Sequence, residues 1–226
     1  MTKECVQLII LDLDGTLYDI NDVIKSVYQT QVMFLCSKLN KSENEVVSFL
    51  LQNKIFPYVT KDSRSATELF ASLGIDKNEW TDYRNEHFKV DYIQKEKAVK
   101  KDVIHRLTSA RRTILLSSNT IATIEKILTH LSVPKDLFSE IVCSDRFPVD
   151  QPFNKKEAIN YLSSKYKIPY SSMLSIGDRY QTDLVPMLEL GGRGVLLKAP
   201  TFLDKVITDI ETNKLESCQE YGFYNK

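Results

Sequence analysis

The stretch Leu8-Ile-Ile-Leu-Asp-Leu-Asp-Gly-Thr-Leu-Tyr-Asp19 decides the reading of the fold. It runs apolar residues straight into two aspartates separated by one leucine. Gln7 to Leu11 shows no polar alternation, which suits a strand buried on both faces, as in a parallel sheet. Further runs of the same kind lie at Thr113–Leu116, Ile141-Val142, Met173–Ile176 and Gly194–Leu197. Helical patterns fall between them. Ile121, Ile124, Leu128 and Leu131 follow a cap at Asn119-Thr120, and Ala158, Ile159, Leu162 and Tyr166 follow Asn154. Leu184, Met187, Leu188 and Leu190 end at Gly191-Gly192, a helix terminator. Strands alternating with helices predict an α/β fold, a Rossmann-like parallel sheet with right-handed connections and helices on both faces.

From about Ile20 to Lys100 no buried-strand run occurs. Amphipathic stretches predict helices over Val23–Leu39, Glu45–Leu51, Ala66–Leu73 and Glu79–Val90, with Pro57 and Gly74 as breaks. The division that follows is a core of residues 1–18 and 100–226 with an α-helical lobe of residues 19–99 inserted. The basic cluster Lys95, Lys97, Lys100 and Lys101 is interleaved with Glu96 and Asp102 and reads as a solvated helix face. After Phe202 one more helix is expected, then a polar tail.

A chain of 226 residues is long enough for one buried core and a smaller lobe. Thirty acidic and thirty basic side chains cancel, so no net field draws it to nucleic acid or an anionic membrane. A locally charged pocket for a small anion is still allowed. Cys5, Cys36, Cys143 and Cys218 are too scattered for a zinc site or a disulfide framework and read as buried thiols. His87, His105 and His130 lack ligand spacing and read as structural or surface residues. The apolar run ending at Asp12 is too short for a signal peptide or a membrane span, and a reduced, cytoplasmic protein is expected.

In a parallel sheet, ligands bind beyond the carboxyl ends of the strands, which is where Asp12 and Asp14 fall. Their i, i+2 spacing points both side chains to one side of an extended backbone. Gly15 frees the chain to turn, and Thr16 can hydrogen-bond locally to fix the turn. Taken alone, Asp-x-Asp reads equally as a capped loop. As neighbouring like charges, the pair needs a shared proton or a cation, and oxygen ligands favour Mg2+. The second strand ends in Ser117-Ser118-Asn119-Thr120, hydroxyls and helix-start amides suited to phosphate oxygens. Lys155 opens a helix from which an ammonium can reach a phosphate. The fourth strand ends in Gly177-Asp-Arg-Tyr-Gln-Thr-Asp183, which puts Asp178 and Asp183 at the same sheet edge.

DLDGTL, a strand ending Ser-Ser-Asn, a helix-starting lysine and GDRYQTD in that order resemble the haloacid dehalogenase-like (HAD) hydrolase superfamily. The resemblance spans about Gln7 to Leu17 and Thr113 to Leu197, and the helical lobe looks like the cap domain of its phosphatase-rich subgroup. It implies that Asp12 is a nucleophile forming an aspartyl-phosphate and that Asp14 is the general acid and then the base. Asp12, the backbone carbonyl of Asp14 and Asp178 would hold Mg2+, while Ser118, the Asn119 amide and Lys155 would bind the phosphoryl group. Asp183 would support the metal or the lysine from outside the contact shell.

Many relatives carry the motif lysine in a Lys-Pro pair, where this chain has Gln151-Pro152. Lys155 fits the alternative form, with Ala158, Ile159 and Leu162 at helical phase behind it, and Lys156 is its competitor. Pro186 is tolerable only near the first turn of its helix. Arg179 reads either as a salt-bridging residue or as a phosphate ligand. Asp14 favours phosphate esters over halides, because alkoxide leaving groups benefit from protonation. The expected activity is a Mg2+-dependent phosphatase acting on a small phosphorylated metabolite, with Tyr58, Lys61, Arg64 and Ser65 as candidate substrate contacts. A phosphomutase and a catalytically silent binding protein are the alternatives, and oligomeric state is not encoded.

Overall fold

The computed structural model describes residues 5–58, 66–147, 153–212, 214–215 and 218–222. Lys61, Arg64, Ser65, Gln151 and Pro152 lie outside the described residues. The strands are β1 (Leu8–Leu11), β2 (Arg112–Ser117), β3 (Glu140–Cys143), β4 (Met173–Gly177), β5 (Arg193–Leu197) and β6 (Cys218–Tyr221). All neighbours pair in parallel, in the order β3-β2-β1-β4-β5-β6. The chain steps from β1 toward β2 and β3 on one side and returns to β4 on the other, so the topological switch point lies between β1 and β4.

The helices are α1 (Asn21–Leu39), α2 (Glu43–Gln52), α3 (Ala66–Ser72), α4 (Lys77–His87), α5 (Lys101–Ala110), α6 (Ile121–His130), α7 (Lys155–Tyr166), α8 (Val185–Glu189) and α9 (Leu203–Glu211). Leu8 and Ile10 of β1, with Ile114, Leu116, Val142 and Met173, pack against Ala158, Ile159 and Leu162 of α7 and Met187 of α8. Ile9 and Leu11 alternate to the opposite face and are equally buried. There α5 lies against β2 and α9. Burial on both faces is why these strands read as unbroken apolar runs.

The carbon-alpha contacts divide the chain into residues 1–19 with 94–226, and residues 20–93. Residues 94–99, which the sequence reading placed in the inserted lobe, belong with the sheet. Val99 N–H donates to the Leu17 carbonyl at 2.8 Å, fastening this segment beside the turn after β1. The second unit is helical and has its own aromatic core. Phe34 of α1 meets Phe70, Trp80 and Tyr83 with ring centroids 5.6, 5.1 and 5.0 Å away.

Three expectations about elements are corrected. The polar tail contains β6, an edge strand whose Cys218 and Glu220 are exposed while Tyr221 is buried; one apolar residue leaves no run to see. The basic cluster is not one helix face, since Lys95–Lys97 form a short 3-10 turn and α5 begins only at Lys101. Of the cysteines only Cys143 is buried, and Cys5 and Cys218 are exposed. Two helices also begin earlier than their apolar residues indicate. Ser42 forms a reciprocal capping box with Glu45, and the Asp76 carboxylate accepts from the Asn78 and Glu79 amides. No helix among the described residues is long and apolar enough to cross a membrane.

Candidate active site

Asp12 follows β1 at the switch point, where its N–H continues the ladder to the Ile176 carbonyl at 2.9 Å. The chain then turns tightly: Thr16 and Leu17 N–H both donate to the Leu13 carbonyl, and Gly15 sits at φ +78°. A side chain at position 15 would collide with the Asp178 carboxylate. Gly15→Ala is therefore expected to cost roughly 1–3 kcal/mol of backbone strain and to displace Asp178. Urea denaturation together with a Mg2+ titration checks this, and unchanged values in both would mean the turn tolerates a side chain.

Lys155 is the first residue of α7, started by the Asn154 side chain accepting from the Glu157 amide at 2.9 Å. Its Nζ donates to Asp12 Oδ1 at 2.5 Å and to Asp183 Oδ1 at 2.7 Å. Lys156 turns outward onto Glu189 instead. Asp183 is 3% exposed and already well used. Besides Lys155, its Oδ1 accepts from Thr182 Oγ1, and its Oδ2 accepts from the Arg179 amide at 2.8 Å. It is carried there by a single π-helical turn, Tyr180–Leu184, ahead of α8. Pro186 falls at the second residue of α8, inside the first turn where a missing N–H is harmless.

Asp12, Asp178 and Asp183 offer carboxylate oxygens all within 4.8 Å of one another. Burial pushes the Asp12 carboxyl up to about 7; Lys155 pulls against the rise, while Asp183 and Asp14 add to it. Burial and then Asp183 raise Asp178 to about 6, against the pull of Arg179. Burial works against the Lys155 ammonium too, but the charges of Asp12 and Asp183 outweigh it and hold it above its usual range. Lys155 thus pairs with two of the three carboxylates and makes no ion pair with Asp178.

Buried Asp178 Oδ1 has no hydrogen-bond partner among the described residues, and an unpaired buried carboxylate oxygen is costly unless something compensates it. The three clustered carboxylates and the orphaned oxygen, with the Asp178 carboxylate packed against Gly15, together fit a small oxygen-liganded cation. Asp178 Oδ1 has capacity to spare for such a cation, whereas Asp183 is already engaged with Lys155, Thr182 and the Arg179 amide.

Asp14 is not part of that triad. Its carboxylate turns the other way and accepts from Asn119 Nδ2 at 2.6 Å on one oxygen and from the Tyr18 hydroxyl on the other. Burial, then the Asp14 charge, holds the Tyr18 phenol well above its ordinary range, so it remains a donor. The Asn119 turn is fastened by Ser144, which donates through both N–H and Oγ to the Asn119 carbonyl at 3.1 Å. Ser118 beside it is exposed, with no hydrogen-bond partner among the described residues. Thr16 Oγ1 reaches Asp12 Oδ2 at 3.4 Å. The Arg179 side chain is exposed and makes no ion pair among the described residues. Tyr58 is exposed and stacks on Phe56.

Tyr18 and the Asn119 side chain were not singled out from the sequence as partners of Asp14. The available signal was a tyrosine four residues after Asp14, next to the apolar Leu17.

A switch-point cluster of carboxylates and one lysine on a doubly wound parallel sheet defines an α/β protein with a polar reaction centre. The chain belongs to the haloacid dehalogenase-like hydrolase family, whose model matches residues 9–185. No curated protein sequence matches it. Among solved structures it is similar to a HAD phosphatase from Thermococcus onnurineus, with TM-score 0.60, 16% identity and coverage of 89% of this chain and 97% of that one. It is also similar to a predicted phosphoglycolate phosphatase from Haemophilus somnus, with TM-score 0.58, 19% identity and coverage of 92% and 98%. A HAD-hydrolase from Bacillus subtilis bound to magnesium aligns with TM-score 0.51, 15% identity and coverage of 96% and 94%. At these identities the likeness carries the fold.

Proposed function

We propose that the protein is a Mg2+-dependent phosphatase that hydrolyses a small phosphorylated metabolite through an aspartyl-phosphate on Asp12. The observation that carries the reading is the buried Asp12 carboxylate, held on Lys155 beside an orphaned Asp178 oxygen, with a second carboxylate two residues on. An oxygen of Asp12 attacks phosphorus while the bond to the leaving oxygen breaks. Asp14 gives that oxygen its proton, then takes one from the water that cleaves the acyl-phosphate. Lys155, the Ser118 hydroxyl and the Asn119 amide bind the phosphoryl oxygens. Asp183 anchors Lys155 and acts through it. Asp12, Asp178 and the Asp14 carbonyl would hold Mg2+, which would supply neutralising positive charge to the site.

The phosphatase and the magnesium-bound hydrolase among the structural neighbours agree with this reading. So does Asp14, an acid that an alkoxide leaving group uses and a halide does not. The same reading takes the protein to be cytoplasmic, with a small phosphorylated substrate rather than nucleic acid or membrane as its partner. Phosphate release from a panel of phosphorylated metabolites, with and without Mg2+, tests it: metal-dependent release is expected, and no release from any compound overturns it.

Metal binding carries its own pH dependence. Carboxyls raised to about 7 and about 6 hold protons in the metal-free protein that Mg2+ must displace. Apparent Mg2+ affinity is therefore expected to fall as pH drops through that window, with protons released on binding. Calorimetry in two buffers of different ionisation heat reads the release directly. Asp178→Asn is expected to weaken Mg2+ binding at least roughly tenfold, and an unchanged affinity would place the metal elsewhere.

A further inference from the structure

We infer that Tyr18 is the positioning residue of the general acid, its hydroxyl holding one oxygen of Asp14 while the Asn119 side chain holds the other. The inference rests on the phosphatase reading above. Tyr18 is fully buried, as are Leu13 and Leu17 of the same turn. Phenylalanine would fill that space as well. A hydroxyl placed there needs a partner to offset its desolvation, and the partner it has is the Asp14 carboxylate.

The backbone makes the placement firm. Asp14 and Tyr18 are joined by an isolated parallel bridge across the Gly15 turn, so the tyrosine is registered against the aspartate rather than free to drift. Asn119 Nδ2 comes from the end of β2 and grips the second oxygen at 2.6 Å. A carboxylate torsion is ordinarily broad. Donors from two fixed elements, one on each oxygen, remove that freedom and set the plane in which Asp14 faces the leaving oxygen.

The consequence is specific to protonation. When the P–O bond breaks, its electron pair stays on the leaving oxygen and takes the proton of Asp14. A misaligned acid slows that step only where the leaving oxygen needs the proton. Phenyl phosphate leaves as a basic phenolate and p-nitrophenyl phosphate as a weakly basic one, with nearly the same shape.

The test compares kcat/KM for these two esters in wild type, Tyr18→Phe, Asp14→Asn and the double variant. Because kcat/KM reports the steps up to aspartyl-phosphate formation, it isolates the acid role of Asp14 from its later base role. Tyr18→Phe is expected to lower phenyl phosphate turnover roughly ten- to a hundredfold and p-nitrophenyl phosphate turnover less than about threefold. Asp14→Asn should show the same asymmetry more strongly, and adding Tyr18→Phe to it should change nothing further. Equal losses on both esters, no loss on either, or additive losses in the double variant would overturn the positioning role while leaving the phosphatase reading intact. Wild type inactive on both esters and on the metabolite panel would remove the phosphatase reading and this inference with it.

Discussion

Asp12→Asn is expected to abolish phosphate release, by about four orders of magnitude or more, because the amide cannot form the covalent intermediate. The fold should survive. Asp12 already resists ionisation, its carboxyl raised to about 7 by burial. For a carboxyl raised above its unfolded value, the stabilising contribution is present at low pH and is lost as pH rises through the folded value. Metal-free wild type is therefore held back at pH 8 by a charge that asparagine does not carry. Asparagine also loses an ion-pair partner for Lys155, which retains Asp183 at 2.7 Å. The two effects oppose, and the denaturation midpoint is expected to shift by no more than about 1 kcal/mol equivalent. Ordinary turnover in Asp12→Asn would sink the mechanism; a folded, silent variant that still binds Mg2+ weakly would support it.

Lys155→Ala should show the largest loss of stability. The lysine side chain is 13% exposed, and its partners Asp12 and Asp183 are 9% and 3% exposed, so solvent screens little of what is removed. Taking away one member of a buried charge cluster costs about 3–5 kcal/mol, since the charges left behind remain desolvated. At pH 8 and without metal, urea denaturation should show that loss. Lowering the pH toward 6 should recover part of it as Asp12 takes up a proton. Phosphate release should fall at least roughly a hundredfold, because in the proposed mechanism the ammonium also donates to the phosphoryl group. Lys156→Ala is the control. Its pair with Glu189 lies on the surface at 2.8 Å, where such pairs contribute little, and activity and stability should match wild type. Equal behaviour of the two lysine variants would remove Lys155 from the site.

The sequence by itself determined the sheet and its order of motifs. The inner strands are buried on both faces, and that burial is written as apolar runs such as Leu8–Leu11 in β1, Ile114–Leu116 in β2 and Val195–Leu197 in β5. The capping side chains at Thr120 and Asn154 likewise announce helix starts, since a cap is a local contact between neighbours in the chain. Strand β6 escaped because an edge strand with one buried face needs few apolar residues, and its pairing with β5 is made at a distance along the chain.

Local chemistry likewise named Asp12, Asp14, Asp178 and Asp183 as the acids at one sheet edge. Only the tertiary structure decided how they divide. Asp12 lies 143 residues from Lys155, and nothing local to either says that their charges meet. The choice between Lys155 and Lys156 came from the direction each side chain leaves the first turn of α7. The two carboxylates of the Asp-x-Asp turn share a strand end, yet one joins the lysine and the other joins Asn119 and Tyr18. Their partners come from different parts of the fold, the start of α7 for Asp12 and the end of β2 for Asp14. Residue type sets what a side chain can do, and the path of the backbone sets which partner it does it with.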